Sequence, residues 1–208
     1  IGLNGKIQWS PSAPFVVELN DFAINVAELK SSLNAAIDMS NDVVVNSLDY
    51  RVNDLPISAV MAHLPKEYKL PVLQQINTNL AVSAGVTLLK PYNVMGNALP
   101  HVEVSVELPK GSLQFGNKHK PLLIEADLLA TVNGDNLNAS IFNVKKFNVN
   151  GVSIDVALDG TFTSLLSDPS INANFKGGLN FNNLPPIILN QIPGEMRGRL
   201  TANTSLRF

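Results

Sequence analysis

Side-chain polarity alternates with a period of two along much of this chain, and this pattern restricts the fold more than any other feature. Segments 102–108 and 152–159 alternate between apolar and polar residues without interruption. Successive side chains of a β-strand point to opposite faces, so each segment has one apolar and one polar face. This pattern is typical of antiparallel sheets with one covered face. We therefore expect a mainly β protein of long antiparallel strands, either one strongly curved sheet or a two-sheet sandwich or groove.

Turn residues separate the alternating segments between about residues 100 and 163. Asn133-Gly134-Asp135-Asn136 is typical of a tight hairpin, because an Asn-Gly pair tolerates the positive φ that such turns need. The sequence predicts five strands in this region: 101–108, 111–115, 122–133, 137–148 and 152–163. Residues 26–37 fit either one helical face or two strands around Lys30-Ser31-Ser32, and we favour strands.

A short proline-containing phrase occurs twice. It runs from Asp54-Leu55-Pro56 to Leu64-Pro65 and from Asn183-Leu184-Pro185 to Ile192-Pro193. Proline is favoured in the first turn of a helix, so the two copies predict short apolar helices at about 55–64 and 185–192. Alternating segments flank each copy. We therefore expect residues 1–208 to form a single β-domain with a degenerate internal repeat, about 43–90 and 171–208.

Charge, cysteine content and sequence motifs narrow the range of possible functions. The 15 Lys and Arg residues stand against 17 Asp and Glu, so the chain lacks the basic surface of a nucleic-acid-binding protein. It has no cysteine, which excludes disulfides and thiolate chemistry. Its three histidines lie far apart without metal-ligand spacing, and it contains none of the common hydrolase or nucleotide-binding motifs. We expect a protein that is not an enzyme and has no metal or other cofactor.

These 208 residues contain no apparent transmembrane helix and no signal peptide. No stretch reaches the 18 apolar residues that indicate a transmembrane helix. The chain also starts at Ile1 in what reads as an interior stretch. We therefore expect a segment of a longer protein whose targeting or anchoring region lies elsewhere.

The apolar face of the alternating strands is the remaining candidate for a site. On the strands with the clearest alternation it would be formed by Val102, Val104, Val106, Ile154 and Val156. This face could be the ordinary core of a β-sandwich, or part of it could line an open groove for acyl chains. Each buried CH₂ of an acyl chain contributes about 0.8 kcal/mol, so such a groove needs no specific polar residues.

Several segments resemble a known family. They are the Leu166-Ser167-Asp168-Pro169 turn, the strand that leads into Asn183-Leu184-Pro185, and Gly198-Arg199-Leu200. Together with the 132–135 hairpin and the Asp159-Gly160-Thr161-Phe162 segment, they resemble the AsmA-like family of bacterial envelope proteins, which is related to TamB-like β-groove proteins. The resemblance is best over residues 100–208 and weaker over 40–90.

The resemblance implies a non-enzymatic periplasmic protein, anchored in the inner membrane by a helix outside this chain. Its apolar β-groove would serve outer-membrane or envelope biogenesis, or phospholipid transfer, with acyl chains and other envelope proteins as partners. The alternative is a secreted β-sandwich for adhesion or glycan binding, which would use exposed aromatic side chains and loop carboxylates. An aromatic content of only 6% counts against glycan stacking.

Overall fold

The chain folds into one large antiparallel sheet. The computed structural model describes residues 2–9, 15–65, 76–116, 120–184 and 197–207. Its strands are β1 Gly2–Trp9, β2 Val16–Val26, β3 Leu29–Asp38, β4 Val44–Pro56, β5 Ile76–Thr78, β6 Ala81–Leu88, β7 Tyr92–Asn93, β8 Val102–Phe115, β9 Leu122–Val132, β10 Ile141–Asn150, β11 Ile154–Thr163, β12 Ser170–Asn180 and β13 Arg199–Arg207. Helix α1 spans Ile57–His63, and 3₁₀ turns lie at Leu137–Ala139 and Phe181–Asn183.

The strand order is a nearly continuous meander. It runs β1-β2-β3-β4-β6-β8-β9-β10-β11-β12-β13, with the short strands β5 and β7 pairing with β8 and β4. The end strands β1 and β13 are the two edges of this path, so the sheet is open and not a closed barrel. The expectation of a mainly β, antiparallel fold is therefore confirmed. Of the two architectures considered, the described strands form the single sheet and not the sandwich.

The predicted strands of the C-terminal half are largely confirmed, with two corrections. Segments 101–108 and 111–115 are one strand, β8, because Pro109 and Lys110 form a bulge instead of a turn. The tight hairpin predicted at Asn133-Gly134-Asp135-Asn136 is wrong. The connection extends to Ser140, because the Asn136 side chain accepts a hydrogen bond from Asn138 N and starts a 3₁₀ turn. Strand β10 therefore begins four residues later than predicted.

The structure also decides the ambiguous segment 26–37 and tests the first predicted helix. Residues 26 and 29–37 are strand, as favoured, but the turn between the two strands lies at Ala27 and Glu28, where Ala27 has a φ of 51°. The sequence did not predict a turn at these two residues, because neither is of a type that usually forms turns. Helix α1 confirms the first predicted helix, with Pro56 directly before it. The helix predicted at about 185–192 lies outside the described residues.

Bulges interrupt the pairing in β2, β4, β8 and β10, each of which has an extra residue relative to its neighbour. Two of these bulges contain an aspartate with positive φ, Asp21 and Asp54. The backbone N–H of Asp21 donates to Asn34 Oδ1 at 2.7 Å, and that of Asp54 donates to Ser83 Oγ at 3.0 Å. Bulges bend a strand and increase its twist, so their recurrence favours a curved sheet.

Candidate functional site

The strand register gathers most of the apolar residues of the sheet on one side. One row of directly paired residues crosses nine strands: Phe22, Leu33, Tyr50, Val86, Val104, Ala130, Phe142, Phe162 and Ile171. Directly paired residues of antiparallel strands point to the same face. We call the side that carries this row the apolar face, and the other side the polar face.

No charged side chain of the described strands points to the apolar face. Its polar groups are the hydroxyls of Ser31, Tyr50, Thr78, Tyr92 and Thr204. Two of these hydroxyls already have partners in the backbone: Ser31 Oγ donates to Ile24 O at 3.4 Å and Thr78 Oγ1 to Ser112 O at 2.8 Å. The apolar face therefore offers a ligand very few polar groups.

The apolar face has no second layer over it among the described residues. The buried apolar side chains are few, and half of them are alanines: Ala35, Leu80, Ala126, Val144, Ala173 and Leu184. No large side chain of the described residues is fully buried. At the two edges of the sheet, Ile7 and Leu200 are 61% and 60% exposed. A sandwich core would bury such side chains, so this face behaves as an open apolar surface.

The structure places all five predicted groove residues on the apolar face, each half-buried. They form two groups that do not meet. Val102, Val104 and Val106 lie in β8, whereas Ile154 and Val156 lie in β11, with two strands between them. Across the sheet, Val156 belongs to the row that reaches β8 at Gly111, beyond the bulge. The two groups therefore lie toward opposite ends of the strands.

The second group lines a depression that we call the notch. The notch has a volume of about 220 Å³ and an almost entirely apolar lining. Its lining includes Ile154, Val156, Phe175, Gly177, Leu200 and Ala202. It exists because the row Val156–Gly177–Ala202 ends in two residues with little or no side chain. Sequence reasoning missed Gly177 and Ala202, because alternation identifies apolar side chains but not the gaps between them.

The polar face carries paired charges. Lys146 Nζ lies 2.7 Å from Glu125 Oε1, and Lys145 Nζ lies 3.5 Å from Asp127 Oδ1. The hydrogen bond from Lys146 is the main cause that lowers the pKa of Glu125 below its usual value. A larger cavity, about 390 Å³, lies on this side and includes Lys110, Glu125 and Asp155 in its lining. Because its lining is charged, this cavity is unsuited to an acyl chain.

Metal-binding clusters and membrane-spanning helices are both absent from the described part of the chain. No group of three or more His, Asp or Glu side chains is arranged to hold a metal ion among those residues. No helix there is both long and apolar enough to cross a membrane.

Comparisons of the chain with protein-family models, with curated proteins and with solved structures found no match in any of the three.

Proposed function

We propose that the apolar face binds the acyl chains of lipids, and that the notch is its best-formed binding position. The observation that carries this proposal is the absence of charge on the apolar face across all the described strands. An extended peptide lying on this face would leave its backbone N–H and C=O groups without partners, which costs free energy for every buried group. An alkyl chain has no such groups, so it suits this surface.

The dimensions of the sheet suit acyl chains. Ten steps of about 4.8 Å separate β1 from β13, so the face extends roughly 50 Å across its strands. An acyl chain that spans one leaflet of a bilayer is about 15 Å long, half of the 30 Å hydrocarbon core. Each CH₂ that leaves water contributes at most about 0.8 kcal/mol. The face therefore has room for more than one chain along its length.

The biological setting is the second part of the proposal. The turn and strand pattern of residues 100–208 resembles the AsmA-like family, and an open apolar sheet is the kind of surface that lipid handling in the bacterial envelope requires. On this basis the chain is a segment of a non-enzymatic periplasmic protein, anchored in the inner membrane through a region outside this sequence. It takes part in envelope biogenesis or phospholipid transfer.

Native mass spectrometry tests acyl-chain binding directly. The chain is exported to the periplasm of a bacterial host, purified without detergent and sprayed under non-denaturing conditions. We expect adducts with the masses of phospholipids, which organic solvent removes. A protein that carries no lipid, and that also fails to take up a fluorescent fatty acid in solution, would rule out this function for the apolar face.

The setting needs a separate experiment, because a lipid-binding face alone does not identify a compartment. Cell fractionation of the native host should place the full-length protein in the inner-membrane fraction, with this segment open to protease in spheroplasts. Recovery in the cytoplasm would refute the periplasmic assignment and leave lipid binding standing.

Glycan binding is disfavoured. Among the strand residues whose side chains the structure describes, no aromatic side chain points to the polar face, where a sugar ring would need one to stack on.

A further inference from the structure

Strand β13 is an open edge of the sheet. It pairs with β12 over all nine of its residues without a bulge, and among the described strands it has no neighbour on its other side. Every residue of β13 is exposed. Bulges, prolines and charged residues commonly prevent an edge strand from pairing further, and the other edge strand, β1, has a bulge between Asn4 and Lys6. β13 contains neither bulge nor proline, and its only charges are at its two ends.

One hydrogen bond next to β13 shows which of its backbone groups are unused. Phe181 N donates to Gly198 O at 2.9 Å, and these two residues lie directly opposite each other, one step before the ladder of β12 and β13. Opposite pairs in an antiparallel ladder alternate between bonded and non-bonded pairs. The even-numbered residues of β13 therefore bond to β12. The N–H and C=O groups that point away from β12 belong to the odd-numbered residues: Arg199, Thr201, Asn203, Ser205 and Arg207.

The side chains near this edge carry charge of one sign. β12 and β13 contain three basic residues, Lys176, Arg199 and Arg207, and no acidic residue. The strand register places all three side chains on the polar face. None of the three forms an ion pair with a described carboxylate. The whole chain, in contrast, has a formal net charge of -2. The edge is therefore a basic strip on an acidic protein, and an acidic partner would complement it.

These charges argue against a second copy of the chain as the partner. If two β13 strands paired antiparallel along their full length, Arg199 of each would lie directly opposite Arg207 of the other. Like charges at directly opposite positions are destabilising. Strand β1 of another copy is no better suited, because its only charged residue is Lys6. Neither edge strand thus offers the carboxylates that Arg199 and Arg207 lack.

We infer that β13 accepts an extended acidic segment of another protein as an additional antiparallel strand. In this kind of recognition, bonds between backbones supply affinity and alternate side chains supply specificity. The added segment would place carboxylates opposite Arg199 and Arg207 on the polar face, and apolar side chains beside Leu200 and Leu206 on the apolar face. This inference goes beyond acyl-chain binding by the apolar face and does not depend on it.

Peptide binding tests the inference. A fluorescently labelled peptide as long as β13, nine residues, alternates valine and threonine and carries glutamate at both ends. The control peptide has lysine at both ends. We expect fluorescence anisotropy to show the glutamate peptide binding at least about tenfold more tightly than the lysine peptide, because two opposite-charge pairs replace two like-charge pairs. Added salt should reduce this difference, since the charges are exposed.

Two substitutions at Asn203 test whether the backbone of β13 is what binds. Asn203→Pro removes an N–H that points away from β12, a position at which edge strands tolerate proline. Asn203→Ala retains this N–H and is the matched control. We expect the proline variant to bind the glutamate peptide at least about tenfold more weakly, and the alanine variant to bind it like the original chain. Circular dichroism verifies that both variants retain the sheet.

Hydrogen exchange measured by NMR supplies a test that needs no variant. The glutamate peptide should slow amide exchange at Thr201, Asn203 and Ser205 of the unmodified chain, because their N–H groups would then donate to the added strand. This measurement keeps the inference testable if the proline variant does not fold.

Five results would overturn the inference: no binding of the glutamate peptide, equal binding of the two peptides, equal loss in the two Asn203 variants, unchanged amide exchange in β13, or dimerisation of the chain alone that Asn203→Pro abolishes. The last result, seen by analytical ultracentrifugation, would identify a second copy as the occupant of the edge. A chain that binds the glutamate peptide but carries no acyl chain would refute the function of the apolar face alone.

Discussion

The ring of Phe175 leans over Gly177, two residues further along β12, so closely that a Cβ on the glycine would stand 2.6 Å from Phe175 Cζ. Both residues face the same side of the sheet, and Gly177 is paired with Val156 on one flank and Ala202 on the other. The missing side chain therefore makes room for the Phe175 ring, which lines the notch. This relationship identifies a position at which a substitution should change the shape of the notch.

Replacement of Gly177 by valine should close the notch. The isopropyl group would occupy the space next to Val156 and push the Phe175 ring aside, so affinity for a fluorescent fatty acid should fall about tenfold, equivalent to about 1.4 kcal/mol. A fluorescence titration measures this change. Gly178→Val is the matched control: the glycine lines the notch with its backbone, but it is paired with Asp155, so an added side chain would point to the polar face, where nothing lies closer than 3.8 Å to a Cβ. Equal loss of affinity in both variants would mean that the notch is not the binding position.

A polar group placed on the apolar face should weaken both folding and binding. Val104 is half-buried in the long apolar row, so Val104→Asn should lower the free energy of unfolding by about 1–2 kcal/mol and weaken acyl-chain binding. The next residue, Ser105, points to the polar face, and Ser105→Asn should stay within about 0.5 kcal/mol of the original chain. Urea unfolding and the same fluorescence titration check both. Similar losses from the two substitutions would show that the faces are not distinct.

The bulge in β4 should depend on a hydroxyl in the neighbouring strand. Ser83→Ala removes the acceptor for the backbone N–H of Asp54, which has a φ of 48°, so stability should fall by about 0.5–1.5 kcal/mol. Ser83→Thr retains the oxygen and should restore most of this loss. Urea denaturation of the three proteins measures the difference. If alanine and threonine behave alike at position 83, the hydrogen bond does not stabilise the bulge.

The ion pair between Lys146 and Glu125 predicts a pH dependence. The hydrogen bond from Lys146 lowers the pKa of Glu125 in the folded chain, so the folded state binds fewer protons than the unfolded state. The resulting contribution to stability is present above the ordinary pKa of glutamate and is lost as the pH falls through the lowered pKa of Glu125. It should be small, because the pair is exposed.

Lys146→Met should therefore raise the pKa of Glu125 toward its ordinary value, as measured by an NMR titration of its side-chain carboxyl carbon. Lys145→Met is the control, because Lys145 is paired with Asp127 and not with Glu125. If the pKa of Glu125 is the same in the unmodified chain and in Lys146→Met, the hydrogen bond from Lys146 is not what lowers it.

Local pattern was enough to predict most strands and the face on which their side chains lie. The period of two in β8, β9 and β11 is a property of neighbouring residues, so Val104 and Val156 could be assigned to an apolar face without knowledge of the fold. Helix α1 was predictable for the same reason, because the proline at its start acts locally. The turn at Ala27 was not predictable, since this residue adopts a positive φ that an alanine side chain does not favour.

Arrangement in space had to come from the tertiary structure. Alternation is the same in an open sheet and in a sandwich, so only the pairing of all these strands into one open sheet decided that the apolar face is uncovered among the described residues and that β1 and β13 are edges. The notch needs Val156, Gly177 and Ala202 in register on three strands. The sequence by itself thus determined which side of each strand is apolar, because that is a local property. Only the pairing of the strands in the folded protein decided where those sides meet, and that they form an uncovered face with a notch, because contacts between residues far apart in sequence depend on the whole chain.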